Sequence, residues 1–317
     1  MIAILSPSYD PYFNVALEYY LLHFFDDEVL LLYRNETSVI VGKHQNAFAE
    51  ANQNFLRQHQ IPLIRRISGG GTVYHDLGNI NITLIREGKL DFNVFLSPLI
   101  KSLALFNLNV EQNLKNDLLL GGKKITGTAA HVYKNKTLHH GTLLFDADQH
   151  LLHLALSGNK SLFEDNSVKS KPSPTTNIKQ YLNDLKNAEA FTKEIYEQLK
   201  NSYKIKHDYS LLKNDIKNIN DWIKYRFKTW DWNYGYSPAF EFVNTIFEKE
   251  SEIKLKFFVK SGMIEKASIS INNEIILLEF LHHSQFIQDN IIDKLLSWSK
   301  KNCPTLTLDS FEKLLDF

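Results

Sequence analysis

Two short segments concentrate the residues best suited to chemistry, and both are built around glycine. The first, RRISGGGTVYHDLGN, runs from Arg65 to Asn79. Gly69, Gly70 and Gly71 remove side chains from successive positions, so their N–H groups can approach a ligand closely and adopt positive φ. A run of glycines alone describes a linker or tight turn equally well. The neighbours say more. Arg66 brings a guanidinium able to hold a phosphate or carboxylate through a bidentate fork, Ser68 opens the loop, and Val73, His75, Asp76 and Asn79 close it. An ordinary surface arginine and a backbone-bonded histidine remain open readings of Arg66 and His75. The second segment, NDLLLGGKKITGTAA, spans Asn116 to Ala130. Asp117 could place a magnesium ion against nucleotide phosphates, since that ion takes one or two carboxylates and completes its shell with phosphate oxygens and water; a turn or cap aspartate explains it as well. Lys124 could neutralise charge growing on an α-phosphate, while Lys123 reads as a solvated charge. His140, Gly141 and Thr142 form a third group, where small residues would let an adenine or ribose lie flat; read alone, they are a strand interior.

These side chains need a frame. With 317 residues, 44% of them hydrophobic, the chain can bury a substantial core as one large or two ordinary domains. Thirty-six Lys and Arg balance thirty-six Asp and Glu, so no excess charge draws the protein onto nucleic acid or anionic lipid. The sole cysteine, Cys303, excludes an internal disulfide framework and a Cys-rich metal site. The N-terminus lacks the charged start and long apolar core of a signal peptide, and no apolar run reaches the roughly eighteen residues of a membrane span. A cytoplasmic protein is expected.

Apolar spacing predicts a helix over Asn14 to Phe25, strands at Val29 to Tyr33 and Ser38 to Val41, and helical structure from Phe48 to Gln58. Ile61 to Ile67 and Asn81 to Ile85 read as strands on either side of the glycine loop. Leu96 to Leu105 reads as a helix, Leu118 to Leu120 as an edge and Leu138 to Phe145 as a strand. From Ser157 to Asn177 the Ser, Asn, Lys and Pro content marks a loop too long for a simple connector. Ile178 to Leu199 and Ile216 to Tyr225 read as helices. From about Phe240 alternating strands and an amphipathic helix over Gln285 to Lys300 suggest a small further domain.

Taken together, these segments resemble the lipoate-protein ligase A family, which shares a fold superfamily with biotin ligases. RRISGGGTVYHDLGN is similar to the family's RRxSGGGxVxHDxGN, KKITGTA to its K-[IV]-[ST]-G-[ST]-A signature, and HHGTLL to its HGT strand. Upstream, SVIVGKHQNAFAEAN resembles the early strand and GxxQN turn, with Gly42, Gln45 and Asn46 in matching places. Downstream, TWDWNYGYSPAFEF is similar to the WEWxxGxxPxF segment that leads into an accessory domain. The likeness covers nearly the whole chain.

The resemblance implies an α+β fold: a catalytic domain over 1–238, with mixed sheets flanked by helices, and a small accessory domain over 239–317. It implies that lipoate and ATP give lipoyl-AMP and pyrophosphate, and that the acyl group then passes to a lysine of a 2-oxoacid dehydrogenase E2 subunit or the glycine-cleavage H protein. Octanoate would fill the same tunnel. By the same matching Lys124 contacts carboxyl and α-phosphate oxygens as the catalytic residue. Arg66, Ser68, Gly69, Gly70, Gly71, Val73, His75, Gly42 and Gln45 line the lipoate and lipoyl-AMP pocket. Asn79, Asp117, Lys124, His140 and Thr142 hold ATP, with Mg2+ on Asp117. No enzyme nucleophile is needed, which sets the chain apart from octanoyltransferases that use a cysteine; Cys303 lies far downstream. Biotin ligases carry a GRGRxG loop where this chain has RRISGGG. One segment departs from the pattern: many members read SVRSRVTN where Ser167 to Asn177 reads SVKSKPSPTTN, with Lys169 and Lys171 as point charges in place of planar forks. Besides a complete ligase, a lipoyltransferase supplied with lipoyl-AMP and a non-catalytic lipoyl or nucleotide binder therefore remain in view. A monomer is expected.

Overall fold

The computed structural model describes residues 1–182, 187–248 and 250–317. The chain forms two compact units, each assembled from separate stretches of sequence. The first comprises Met1–Lys43, Ile61–Leu154 and Ser170–Thr229, and the second His44–Gln60, Ala155–Lys169 and Trp230–Phe317. The expected break at 238 falls near the last of these junctions, but residues 44–60 and 155–169 also join the second unit.

In the first unit a five-stranded sheet runs in the order Ile2–Leu5, Val29–Arg34, Asn79–Glu87, Lys136–Leu144, Thr128–Tyr133, parallel at the first pair and antiparallel thereafter. Strand alternation divides its faces. Ile80, Ile82, Leu84 and Leu143 point into a core shared with Phe95, Leu99 and Phe191. The opposite set includes Asn79, Asn81, Thr83, His140 and Thr142, with Thr83 opposite His140 and Asn81 opposite Thr142 in register. Two smaller sheets carry the glycine-containing segments. Leu63–Arg65, Ser38–Val41 and Val73–His75 form one; Val110–Gln112, Leu118–Leu120 and Lys123–Thr126 form the other. The helix Pro11–Phe24 starts where Asp10 accepts from the Tyr12 N–H and Pro11 occupies a first-turn position, a favourable N-terminus. It is buried along most of its length, Glu18 included.

The second unit is a five-stranded antiparallel sheet, Phe163–Asp165, Phe240–Glu248, Ser251–Lys260, Met263–Ile271 and Glu274–Leu277, with the helices Gln288–Asn302 and Leu308–Leu314. Aromatic rings fill its core. Phe48 lies 5.5 Å from Phe240 and 5.2 Å from Phe286, and Phe163 lies 5.4 Å from Phe240 and 5.5 Å from Phe317.

Three expectations change. Phe48 to Gln58 is two short helices, Ala47–Glu50 and Gln53–Gln58, because Asn52 caps the second by accepting from the Phe55 N–H at 2.9 Å. Within Ile178 to Leu199 there is a 3-10 turn at Ile178–Tyr181 and a helix starting at Ala188, capped by Asn187; residues 183–186 lie outside the described residues. The stretch from Ser157 to Asn177 is not structureless. It contains a 3-10 turn at Lys160–Leu162 and the strand Phe163–Asp165, which pairs with Phe240–Phe242. Among the described residues no helix is long and apolar enough to cross a membrane. The α+β class with mixed sheets is as expected.

Candidate active site

The glycine loop is held from beneath by its own arginines. Arg66 Nε donates to Ser68 Oγ at 2.9 Å, Nη1 to the Ile40 carbonyl at 3.0 Å, and Nη2 to the carbonyls of Gly69 and Gly71 at 2.5 and 2.7 Å. Buried Arg65 donates through Nη1 to the carbonyls of Gly42 at 2.9 Å and Lys43 at 3.1 Å. The Lys43 N–H donates in turn to the Ser68 carbonyl at 2.8 Å. Arg66 is therefore not a surface residue, and its guanidinium is engaged by the loop it supports. Burial pushes its pKa down to about 10, against the opposing pull of Glu18 and Tyr33, so it stays charged near neutral pH. Gly70 has φ +86°, a conformation costly for other residues, and a Cβ there would sit 3.0 Å from Arg66 Nη2.

Past the loop, HDLGN is mostly turn architecture. Asp76 accepts from the Gly78 and Asp148 N–H groups at 2.9 and 2.8 Å, and a Cβ on Gly78 would stand 2.0 Å from the Asp146 carbonyl oxygen. His75 Nδ1 bonds Asn35 Nδ2 at 3.0 Å. Since the amide can only donate, Nδ1 is the bare nitrogen and Nε2 carries the proton. That N–H has no protein partner, and burial together with Arg66 pushes the imidazole pKa down to about 3, so His75 is neutral. Asn79 donates to Asn81 Oδ1 at 3.1 Å, leaving its own Oδ1 and Asn81 Nδ2 unpaired, as is Thr126 Oγ1. Buried polar atoms without partners are rare and costly, and here they are donors and acceptors that a polar ligand would satisfy.

Lys124 Nζ lies 2.8 Å from Asp117 Oδ1, the two side chains being 26% and 12% exposed. Asp117 Oδ2 accepts from Asn113 Nδ2 at 3.1 Å. Gly127 makes room for the ammonium: a Cβ there would come within 3.3 Å of Lys124 Cε and Nζ. Its N–H donates to Thr142 Oγ1 at 3.2 Å, and its carbonyl accepts from the Thr142 N–H at 3.0 Å. The KITGT and HGT segments thus meet at Gly127 and Thr142. His140, two residues before Thr142 on the same face, bonds Ser68 Oγ through Nε2 at 2.7 Å and Glu18 through Nδ1 at 3.0 and 3.1 Å.

The stretch that departs from the family pattern ties these parts together. Ser170 Oγ accepts from the Thr72 N–H at 2.9 Å and packs where a Gly71 Cβ would be, 3.1 Å away. Further on, the Lys124 N–H donates to the Pro174 carbonyl at 2.9 Å and the Thr176 N–H to the Lys124 carbonyl at 3.1 Å. Asn177 fastens the end to Ala147. Residues 170–177 form a strap from the glycine loop to the Lys124 strand. Lys169 is engaged with Asp165 at 2.6 Å in the second unit, and Lys171 is exposed. Gln45, in the second unit, donates to the Val168 carbonyl at 3.2 Å. Val73 is half-buried on its short strand.

Asp117 supplies one carboxylate, which suits an ion held mainly by phosphates and water. The His and acidic side chains close enough to share an ion among the described residues are Glu265, His282 and His283 of the second unit. Glu18, Asn35, Tyr33, Thr83, Asn81 and Ser170 belong to the site and were not singled out from the sequence. Glu18 carried a signal, as the one acid inside the apolar run NVALEYYLLHFF.

This mixed-sheet architecture is that of a solved lipoate-protein ligase A bound with ATP. The two align with a TM-score of 0.63 and 21% identity, covering 74% of this chain and all of that one. Residues 10–200 match the lipoyl protein ligase A/B catalytic domain family. Lipoate–protein ligase 1 of Staphylococcus aureus is 35% identical over 266 residues, 82% of this chain and 81% of that protein. The mitochondrial lipoyl amidotransferase LIPT1 of Homo sapiens is 33% identical over 322 residues, 95% of this chain and 82% of that protein. The chain belongs to the lipoyl protein ligase A/B family.

Proposed function

We propose that this chain is an ATP-dependent lipoate–protein ligase. The observation that carries the reading is Lys124, held by Asp117, given space by Gly127 and linked through the strap to the glycine loop. In the first half-reaction a lipoate carboxylate oxygen attacks the α-phosphorus of ATP and pyrophosphate leaves. Charge grows on the phosphate oxygens, where the Lys124 ammonium stabilises it more than it stabilises the ground state. In the second, the ε-amine of a carrier lysine attacks the acyl carbonyl, AMP leaves, and the amine loses a proton to form the amide. The loop amides of Gly69 to Gly71, with Arg66, Ser68 and His75, line the acyl and phosphate site, and Gly42 and Val73 belong to the acyl pocket. Asn79, Asp117, His140 and Thr142 serve the nucleotide. Asp117 would hold Mg2+, which supplies charge neutralisation on the phosphates. The strap keeps water from the mixed anhydride between the half-reactions.

The carriers on this reading are lipoyl domains of E2 subunits or an H protein, and the ligase acts as a cytoplasmic monomer. Residues 239–317 act as an accessory domain. Lipoate-dependent exchange of labelled pyrophosphate into ATP tests the assignment. Wild type should exchange, and Lys124→Ala should lose at least about a hundredfold in kcat, the scale of a lost charge stabiliser. The second reading, a lipoyltransferase supplied with lipoyl-AMP, is favoured by the 33% identity to a protein named a lipoyl amidotransferase and by Lys169 and Lys171 where many members of the family carry arginine. Transfer from supplied lipoyl-AMP without exchange would select it; ligand binding without either half-reaction would select a binder.

A further inference from the structure

Glu18 is 1% exposed on the helix Pro11–Phe24, and three elements turn hydrogen-bonding groups toward its carboxylate. Tyr33 donates to Oε1 at 3.0 Å, Thr83 donates to the same oxygen, and His140 Nδ1 lies 3.0 and 3.1 Å from the two oxygens. Burial pushes the carboxyl pKa up, but His140 and these hydrogen bonds outweigh it, so Glu18 is an anion held below the usual carboxylate range. An ionised group buried this deeply costs several kcal/mol to desolvate, so its partners hold it in one arrangement.

That arrangement continues to the glycine loop. A carboxylate only accepts, so His140 Nδ1 must carry a proton and Nε2 faces Ser68 Oγ at 2.7 Å. Ser68 Oγ also accepts from Arg66 Nε at 2.9 Å, and Arg66 Nη2 binds the carbonyls of Gly69 and Gly71. A continuous line of hydrogen bonds therefore joins an anion under the sheet to the peptides of the glycine loop.

We propose that Glu18 is a positioning residue for the reaction, acting through His140 and Ser68 to hold the glycine loop in the shape that receives the acyl carboxylate and α-phosphate. The inference rests on the ligase reading above. A carboxylate, histidine and serine in line also describe a nucleophile and its base. Here the serine has the wrong surroundings: Arg66 Nε donates onto its oxygen, drawing on one of its two lone pairs and lowering its nucleophilicity, and the residue is fully buried. Ser68 orients the loop without forming an acyl ester.

The test is a double-mutant cycle. Glu18→Gln keeps size and an acceptor but removes the charge, and Ser68→Ala removes the hydroxyl. In pyrophosphate exchange each should raise the KM for lipoate about tenfold with kcat within about threefold, the size of one lost charge-assisted contact. Because one acts through the other, the double variant should be no worse than Ser68→Ala alone. Additive losses, or a Glu18→Gln variant that melts earlier with unchanged kinetics, overturn the proposal. Lipoyl-AMP affinity measured calorimetrically on the same four proteins decides the matter even if wild type performs only the transfer. Intact mass after incubation with lipoyl-AMP should be unchanged, and an acyl adduct on Ser68 would replace positioning with nucleophilic catalysis. A wild type that exchanges alongside additive variants defeats this inference alone; a wild type that binds neither lipoate nor lipoyl-AMP defeats the ligase reading with it.

Discussion

His75 shows how burial sets the chemistry of a single residue. With its imidazole held at about 3 against 6.5 in an open chain, the folded protein keeps it neutral where the unfolded chain would protonate it. Its contribution to stability is fully present above about pH 6.5 and is lost as pH falls through the window toward 3. Burial lowers His139 as well, with the same sign. The melting temperature should therefore fall between about pH 7 and pH 5, above most carboxylate titration. His75→Gln, which can still accept from Asn35, should lose less over that interval; parallel curves for variant and wild type would show that His75 is not held neutral. The sequence left Arg66 and His75 each with two readings. Arg66 is not a surface arginine, since its guanidinium faces inward onto loop carbonyls, a choice made by residues as distant as Ile40.

At the scale of elements the strap is the main finding. Its composition marks a loop too long for a simple connector, but its docking depends on backbone groups of Thr72 and Lys124, which no local pattern reveals. Gly71 has no positive φ, so alanine there meets no backbone strain, only Ser170 at 3.1 Å. Gly71→Ala should cost under about 1 kcal/mol in stability, within the range of mild substitutions, yet loosen the strap. Faster proteolysis within residues 167–177 and increased release of lipoyl-AMP are expected, and Ser170→Ala, which removes the hydroxyl that accepts from Thr72, should act in the same direction. Unchanged cleavage and release would mean that the strap is not seated on Gly71. Gly70→Ala should differ, because at φ +86° the penalty falls on the backbone itself, at about 1–2 kcal/mol.

For the whole molecule, the discontinuous second unit changes what a truncation does. Removing 239–317 strips Phe240, Phe286 and Phe317 from Phe48 and Phe163, which remain in the truncated chain. Each phenylalanine left uncovered forfeits about 1.5–3 kcal/mol of burial. A chain ending at 238 should melt earlier and associate through this face, as followed by calorimetry and light scattering. An unchanged melting temperature in a monodisperse sample would show that 44–60 and 155–169 do not depend on the C-terminal segment.

The amino-acid sequence by itself determined the local features: the glycine loop, the KITG lysine, the alternating strands and the apolar helices, each encoded in residues close along the chain. Those patterns also identify the family and the chemistry to expect. Only the tertiary structure decided which groups share a site. Glu18 and His140 are 122 residues apart, and Ser68 and His140 are 72 apart. The pairing of such groups follows from strand register and from the demand that every buried charge find partners, and both are settled only when the sheets close over the core.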